Sequence, residues 1–223
     1  MTKAPEATAD PANENEVQAE VSKHPVASIP TTDLSLADIE RSRSRPMRWV
    51  AYVVLVLAAI IGPYWLGRML ATNHTEWLVS HLSMLEPRGV ALVAWAVTVM
   101  AFTGLALVIV ETRNRIGHIV FIAGLAAEQF IGGLCLLRLD FWYSTYVIYG
   151  DSAPLANAAN LGIIAAGIAV AVYAVVFVGL LVLIRKDSPL NVLTRSWASY
   201  LLFFALEVVA LFVVLFGGLL TVV

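Results

Sequence analysis

From residue 49 onward the chain is built of long apolar runs separated by short polar stretches. Five runs stand out: Trp49–Gly67, Gly89–Val110, Ile116–Leu137, Leu161–Ile184 and Trp197–Val223. A helix rises about 1.5 Å per residue, and about 30 Å of hydrocarbon takes roughly 17–25 helical residues to cross. Each run is long enough. The bilayer core offers no water to backbone N–H and C=O groups, so a spanning segment must satisfy them as a helix or a closed barrel. Ala, Leu, Val and Ile fill the runs without period-two alternation, which excludes the barrel. The pattern predicts an all-α membrane protein, a bundle of five transmembrane helices over residues 46–223 with a tail at 1–45.

The tail reads differently along its length. Residues 1–30 are rich in Ala, Pro, Glu, Asn and Thr, cannot bury enough surface to offset their ordering entropy, and are expected to be disordered. In TTDLSLADIERSRSR, Thr32 or Asp33 can cap a helix and Leu34, Leu36 and Ile39 offer a short apolar stripe. Arg41, Arg43, Arg45 and Arg48 follow as a juxtamembrane basic cluster. Each such cation gains about 1 kcal/mol beside an anionic membrane surface. The N-terminus lacks the basic start and apolar core of a cleaved signal, so the first run is expected to serve as an uncleaved anchor.

Charge in the loops sets an expected orientation. With the N-terminus inside, the inner side holds Arg41, Arg43, Arg45, Arg48, Arg113, Arg115, Arg185, Lys186 and Arg195, and the outer side only Arg68, Arg88 and Arg138. That bias predicts N-in/C-out, with a cytoplasmic N-terminus in a bacterial plasma (inner) membrane.

Composition agrees with the pattern. The chain is 60% hydrophobic and 13% charged, against about half and about a quarter for soluble domains, and its mean hydropathy is +0.81. A net charge of −2 gives no reason to expect a nucleic-acid partner. The single cysteine, Cys135, excludes an internal disulfide and a multi-cysteine metal site.

The polar residues inside the runs carry the candidate chemistry. Glu128, in AGLAAEQFIGG, lies thirteen positions after Arg115, and Glu207, in YLLFFALEVVALF, twelve after Arg195. Both carboxyls are thus expected about 18–20 Å from the inner flanking cations. Thr98 and Tyr173 fall at the same height, with Gln129 and Thr103 close by, so these six side chains are expected to form one mid-membrane layer. A carboxylate facing lipid costs several kcal/mol, which directs both acids inward. Gly124 and Gly132, four residues either side of Glu128, predict a small-residue packing face. Glu207 has no such glycines nearby, is flanked by Phe203, Ala210 and Leu211, and is expected to point to a partner chain instead. No Lys or Arg lies at that depth. The pair is therefore either a proton or cation relay, or inter-helix glue worth about 1 kcal/mol per hydrogen bond.

Other chemistry has little to work with. His118 stands alone at the inner boundary, without the second axial ligand a buried haem would want. His74, Glu76 and His81 lack the spacing of a metal site. No HExxH, GxSxG or P-loop pattern occurs. No metal or cofactor is expected. The segment LDFWYSTYVIYGDSAPLANAAN follows Arg138 and brings Asp140, Trp142, Tyr143 and Tyr146 to the outer interface, where aromatic rings with one polar end collect. It is expected to lie on the membrane, or to dock a protein, a lipid headgroup or a quinone. The partners expected are the bilayer and other membrane proteins. These features point to a small accessory or scaffold subunit of a larger membrane complex; a proton- or cation-coupled transporter or channel is the alternative, and an enzyme acting on lipid or quinone comes third.

Overall fold

The computed structural model describes residues 46–111, 115–184, 188 and 196–221. Arg41, Arg43 and Arg45, with the rest of the 1–45 tail, lie outside the described residues, as do Arg113, Arg185, Lys186 and Arg195 and the side chain of Arg48. The helices are α1 (Pro46–Asn73), α2 (Thr75–Leu82), α3 (Pro87–Val110), α4 (Arg115–Leu134), α5 (Phe141–Tyr149), α6 (Ala153–Leu183) and α7 (Ser196–Phe216). Short 3-10 turns cover Gly150–Ser152 and Leu219–Thr221. No strand occurs among the described residues. Five stretches are long and apolar enough to cross a membrane: Trp49–Asn73, Pro87–Val110, Arg115–Leu134, Phe141–Leu183 and Trp197–Phe216. Over the described residues the chain is all-helical, and its five long apolar helices make it a multi-pass membrane protein.

Three helix ends differ from the apolar runs. α1 continues past Gly67 to Asn73, its last turn lined by Thr72, whose hydroxyl donates to the Arg68 carbonyl at 3.1 Å. α6 begins at Ala153, eight residues before Leu161. Pro154 suits a first turn, where its missing N–H has no partner to lose. α7 stops at Phe216 rather than Val223, because Gly217 N–H closes the last turn on Val213 O and Gly218 turns away at φ 80°.

Within Trp49–Val223, α3 and α6 form the centre. Gly162 of α6 lies so near α3 that a Cβ there would come within 2.4 Å of Ala91 O. α7 joins them through two apolar clusters, one of Ala91, Leu161, Ala165 and Val214, the other of Val99, Ala166 and Phe203. α4 packs on α3 at Gly124, where a Cβ would be 2.9 Å from Ala101 Cα. α1 meets α4 at a backbone-to-backbone crossing: a Cβ at Gly67 would lie 2.3 Å from Phe130 O, and one at Gly133 2.2 Å from Tyr64 O. Lipid supplies no hydrophobic drive between helices, so small residues that permit such close packing carry the association.

Candidate functional site

The helix registers fix the height of the two acids. Along the α3–α4 seam Gly104 faces Phe121 and Ala101 faces Gly124. One further turn of the same register sets Glu128 level with Val97. On another face of α3, Trp95 reaches α7 and donates its indole N–H to Glu207 Oε2 at 3.2 Å. Trp95 and Val97 are two residues apart, about 3 Å along the axis. The acids therefore lie within a turn of each other in height. They sit on different sides of α3, since Trp95 and Gly104 are nine residues apart and face opposite ways at about 100° per residue.

Their surroundings differ as much as their directions. Glu207 is 0% exposed, and its Oε1 has no hydrogen-bond partner among the described residues. Glu128 and Gln129 are half-buried on α4. Thr98, also buried, donates to its own helix at Ala94 O (3.0 Å), and Thr103 does the same to Val99 O (2.8 Å). Such bonds to the carbonyl four residues back satisfy a hydroxyl without linking helices. The Tyr173 hydroxyl hydrogen-bonds Ser199 on α7, and its ring meets Phe203 edge-on at 5.6 Å. The structure thus brings Tyr173 to Ser199, and it turns Glu207 not outward to a partner chain but inward to Trp95, because α7 packs that face against α3. It records no bond from Glu128 to Glu207 among the described residues.

The glycines divide their work. Gly124 sits against Ala101 of α3, whereas Gly132 faces the Leu137 side chain of its own terminal turn, 3.6 Å from a would-be Cβ. The approach to α1 belongs to the next residue, Gly133.

A second polar group of residues gathers at the end of α4. The chain leaves α4 through Leu136 at φ 54°, with Leu137 N–H bonded to Gly132 O (2.8 Å) and Leu136 N–H to Gly133 O (3.3 Å), a Schellman closure. Three carbonyls around this exit are met from elsewhere. Tyr149 OH donates to Leu134 O at 2.6 Å, Asn160 Nδ2 to Cys135 O at 2.7 Å, and Tyr64 OH to Leu137 O at 3.4 Å. Beside them, buried Thr145 donates to Asn157 Oδ1 at 2.6 Å. Backbone carbonyls left bare in an apolar setting are costly, so these contacts explain why α6 starts early and carries two buried asparagines. By sequence pattern Asn157 and Asn160 fall between the third and fourth apolar runs, and two amides inside an Ala-rich stretch are the available signal. Trp95 was the other missed residue, legible only as an indole whose N–H must find an acceptor.

α5 lies across this end with Phe141 and Thr145 buried, while Trp142, Tyr143 and Tyr146 are 43%, 71% and 67% exposed. Arg138 and Asp140 form a solvent-facing ion pair at 3.7 Å, of the kind worth about 0–1 kcal/mol. Between α5 and the first turns of α6 a cleft of about 480 Å³ opens, lined by Trp142, Tyr146, Asp151 and Asn157 among others. A smaller apolar cavity of about 90 Å³ lies under α2, between Leu78, Leu82, Leu85 and Cys135. Among the described residues no three of His, Cys, Asp and Glu converge as metal ligands. His81 stacks on Trp77 at 4.5 Å, and His118 meets Tyr52 edge-on at 5.3 Å.

Comparison of the chain with protein-family models, curated proteins and solved structures returns no match.

Proposed function

We propose that this protein is a small accessory or scaffold subunit of a larger complex in a bacterial plasma membrane, with its N-terminus in the cytoplasm. The observation that supports this reading is how the mid-depth polar groups are used. Thr98 and Thr103 bond their own helix, Tyr173 bonds Ser199, and Glu207 is enclosed with Trp95. The two threonines spend their hydroxyls within α3, while the Tyr173–Ser199 and Trp95–Glu207 contacts act as glue between helices. They favour a bundle that holds its shape and presents its faces to other chains. α1 suits such a role, because its crossing on α4 leaves Trp49, Leu57, Ile61 and Trp65 uncovered along its length. Affinity purification in mild detergent, followed by mass spectrometry, should recover at least one other membrane protein at a fixed ratio. A lone chain that is stable and without companions would overturn the reading.

One observation favours the transporter alternative, the unpartnered Oε1 of Glu207. A relay needs a carboxyl oxygen free to exchange its proton or ion. In proteoliposomes, Glu128→Gln and Glu207→Gln would then abolish a pH-driven flux while leaving the protein folded and any complex assembled. Absence of flux in the unaltered protein removes this alternative.

A further inference from the structure

We propose that the cleft between α5 and the start of α6 binds the headgroup of an ammonium-bearing phospholipid, such as a phosphoethanolamine lipid. The cleft measures about 480 Å³, within the range of roughly 300–1,000 Å³ typical of small-molecule sites. Trp142 and Tyr146 stand one turn apart on α5 and line it, so both rings belong to one wall. An ammonium over the face of Trp or Tyr is drawn by the ring quadrupole, and Trp is the strongest host. Asp151 lines the same cleft and makes no ion pair with a described residue, which leaves its charge for a cation.

The floor supplies the complementary half. Asn157 is 4% exposed, lines the cleft, and has its Oδ1 occupied by Thr145. Its Nδ2 makes no bond to any described residue, so the remaining donor suits a phosphate or ester oxygen. Gly150 turns the chain between the two helices at φ 55° and brings Asp151 to the cleft that Asn157 lines. Aromatic faces and a carboxylate together with an amide donor match a zwitterion rather than an anion.

Depth selects the lipid over a free headgroup. α6 has 31 residues, about 46 Å at helical rise, against about 30 Å of hydrocarbon. The apolar run from Leu161 fills the hydrocarbon, so Ala153–Asn160 and the cleft they wall stand at headgroup height. The Arg138–Asp140 pair, which precedes α5, marks the same interface.

The test is native mass spectrometry of the full chain in detergent, titrated with phosphatidylethanolamine and phosphatidylglycerol of identical acyl chains. One phosphatidylethanolamine should be retained in preference to phosphatidylglycerol. Asp151→Asn and Tyr146→Leu should each weaken that retention about three- to fivefold, with unchanged thermal midpoints. Tyr143→Ala, exposed on α5 but off the cleft, should leave it intact. Equal retention of the two lipids, or retention indifferent to Asp151→Asn, overturns the proposal. Displacement by soluble phosphorylethanolamine at concentrations similar to the lipid's would overturn the lipid assignment. Retention is read on the isolated chain, so the result is independent of whether a protein partner exists.

Discussion

Glu207 is the largest wholly buried side chain among the described residues, and its position tests what a carboxyl does when protein surrounds it. Trp95 supplies the single hydrogen bond, and Oε1 goes without. Removing one member of a buried polar pair strands the other at about 1–3 kcal/mol, whereas replacing both by apolar groups of similar shape is close to neutral. Trp95→Phe should therefore lower stability by about 1–3 kcal/mol, and Glu207→Leu, which strands an indole N–H on a half-buried rather than a fully buried residue, should cost less. The double variant should recover much of the loss, a coupling of about 0.6–2 kcal/mol. Thermal midpoints of the four proteins in one detergent check this; strictly additive effects would count against the pair as glue. Gly150 makes a second residue-scale test. Its φ of 55° and ψ of −124° form a backbone conformation that side-chain-bearing residues rarely adopt, and a Cβ there would meet nothing within 4 Å. Gly150→Ala should thus destabilise by about 1–3 kcal/mol through backbone conformation alone, and the same thermal assay reads it.

At the scale of elements, the association of α1 with the bundle depends on how near two backbones can come. A Cβ at Gly133 would lie 2.2 Å from the Tyr64 carbonyl, a backbone atom that cannot rotate away. Gly133→Ala should therefore push α1 outward and cost about 1–3 kcal/mol. Gly62→Ala, on α1 itself but with open space around its Cβ, is the matched control and should be silent in the thermal assay. Similar losses from both would show that the crossing does not hold α1. The exit of α4 makes a parallel case. Tyr149→Phe deletes the hydroxyl that meets Leu134 O and should cost about 1 kcal/mol. Hydrogen exchange should show that loss first in the amides of α4's last turn and of α5. A uniform change across the bundle would contradict the local role.

Over the whole molecule, hydropathy alone was enough to find the five spanning helices, because hydrocarbon tolerates only backbone that satisfies itself and apolar side chains to cover it. A shared height for Glu128 and Glu207 is an expectation of the sequence, since helical rise is constant and cations flank each run. Azimuth was not legible. Which way each acid faces depends on which helices pack together, and neither the opposite directions around α3 nor the Trp95 contact follows from spacing within one helix. The early start of α6 escaped for a related reason: Asn157 and Asn160 look like loop residues until Thr145 and the Cys135 carbonyl are placed beside them. Gly133 rather than Gly132 is the residue on which α1 rests, a one-residue difference that turns the contact by about 100°. What the sequence determined by itself was that five stretches form helices long and apolar enough to cross a bilayer, a property that a single helix already possesses. Only tertiary structure decided which polar groups meet, because a hydrogen bond between helices needs two surfaces in register and one chain segment carries only half of it.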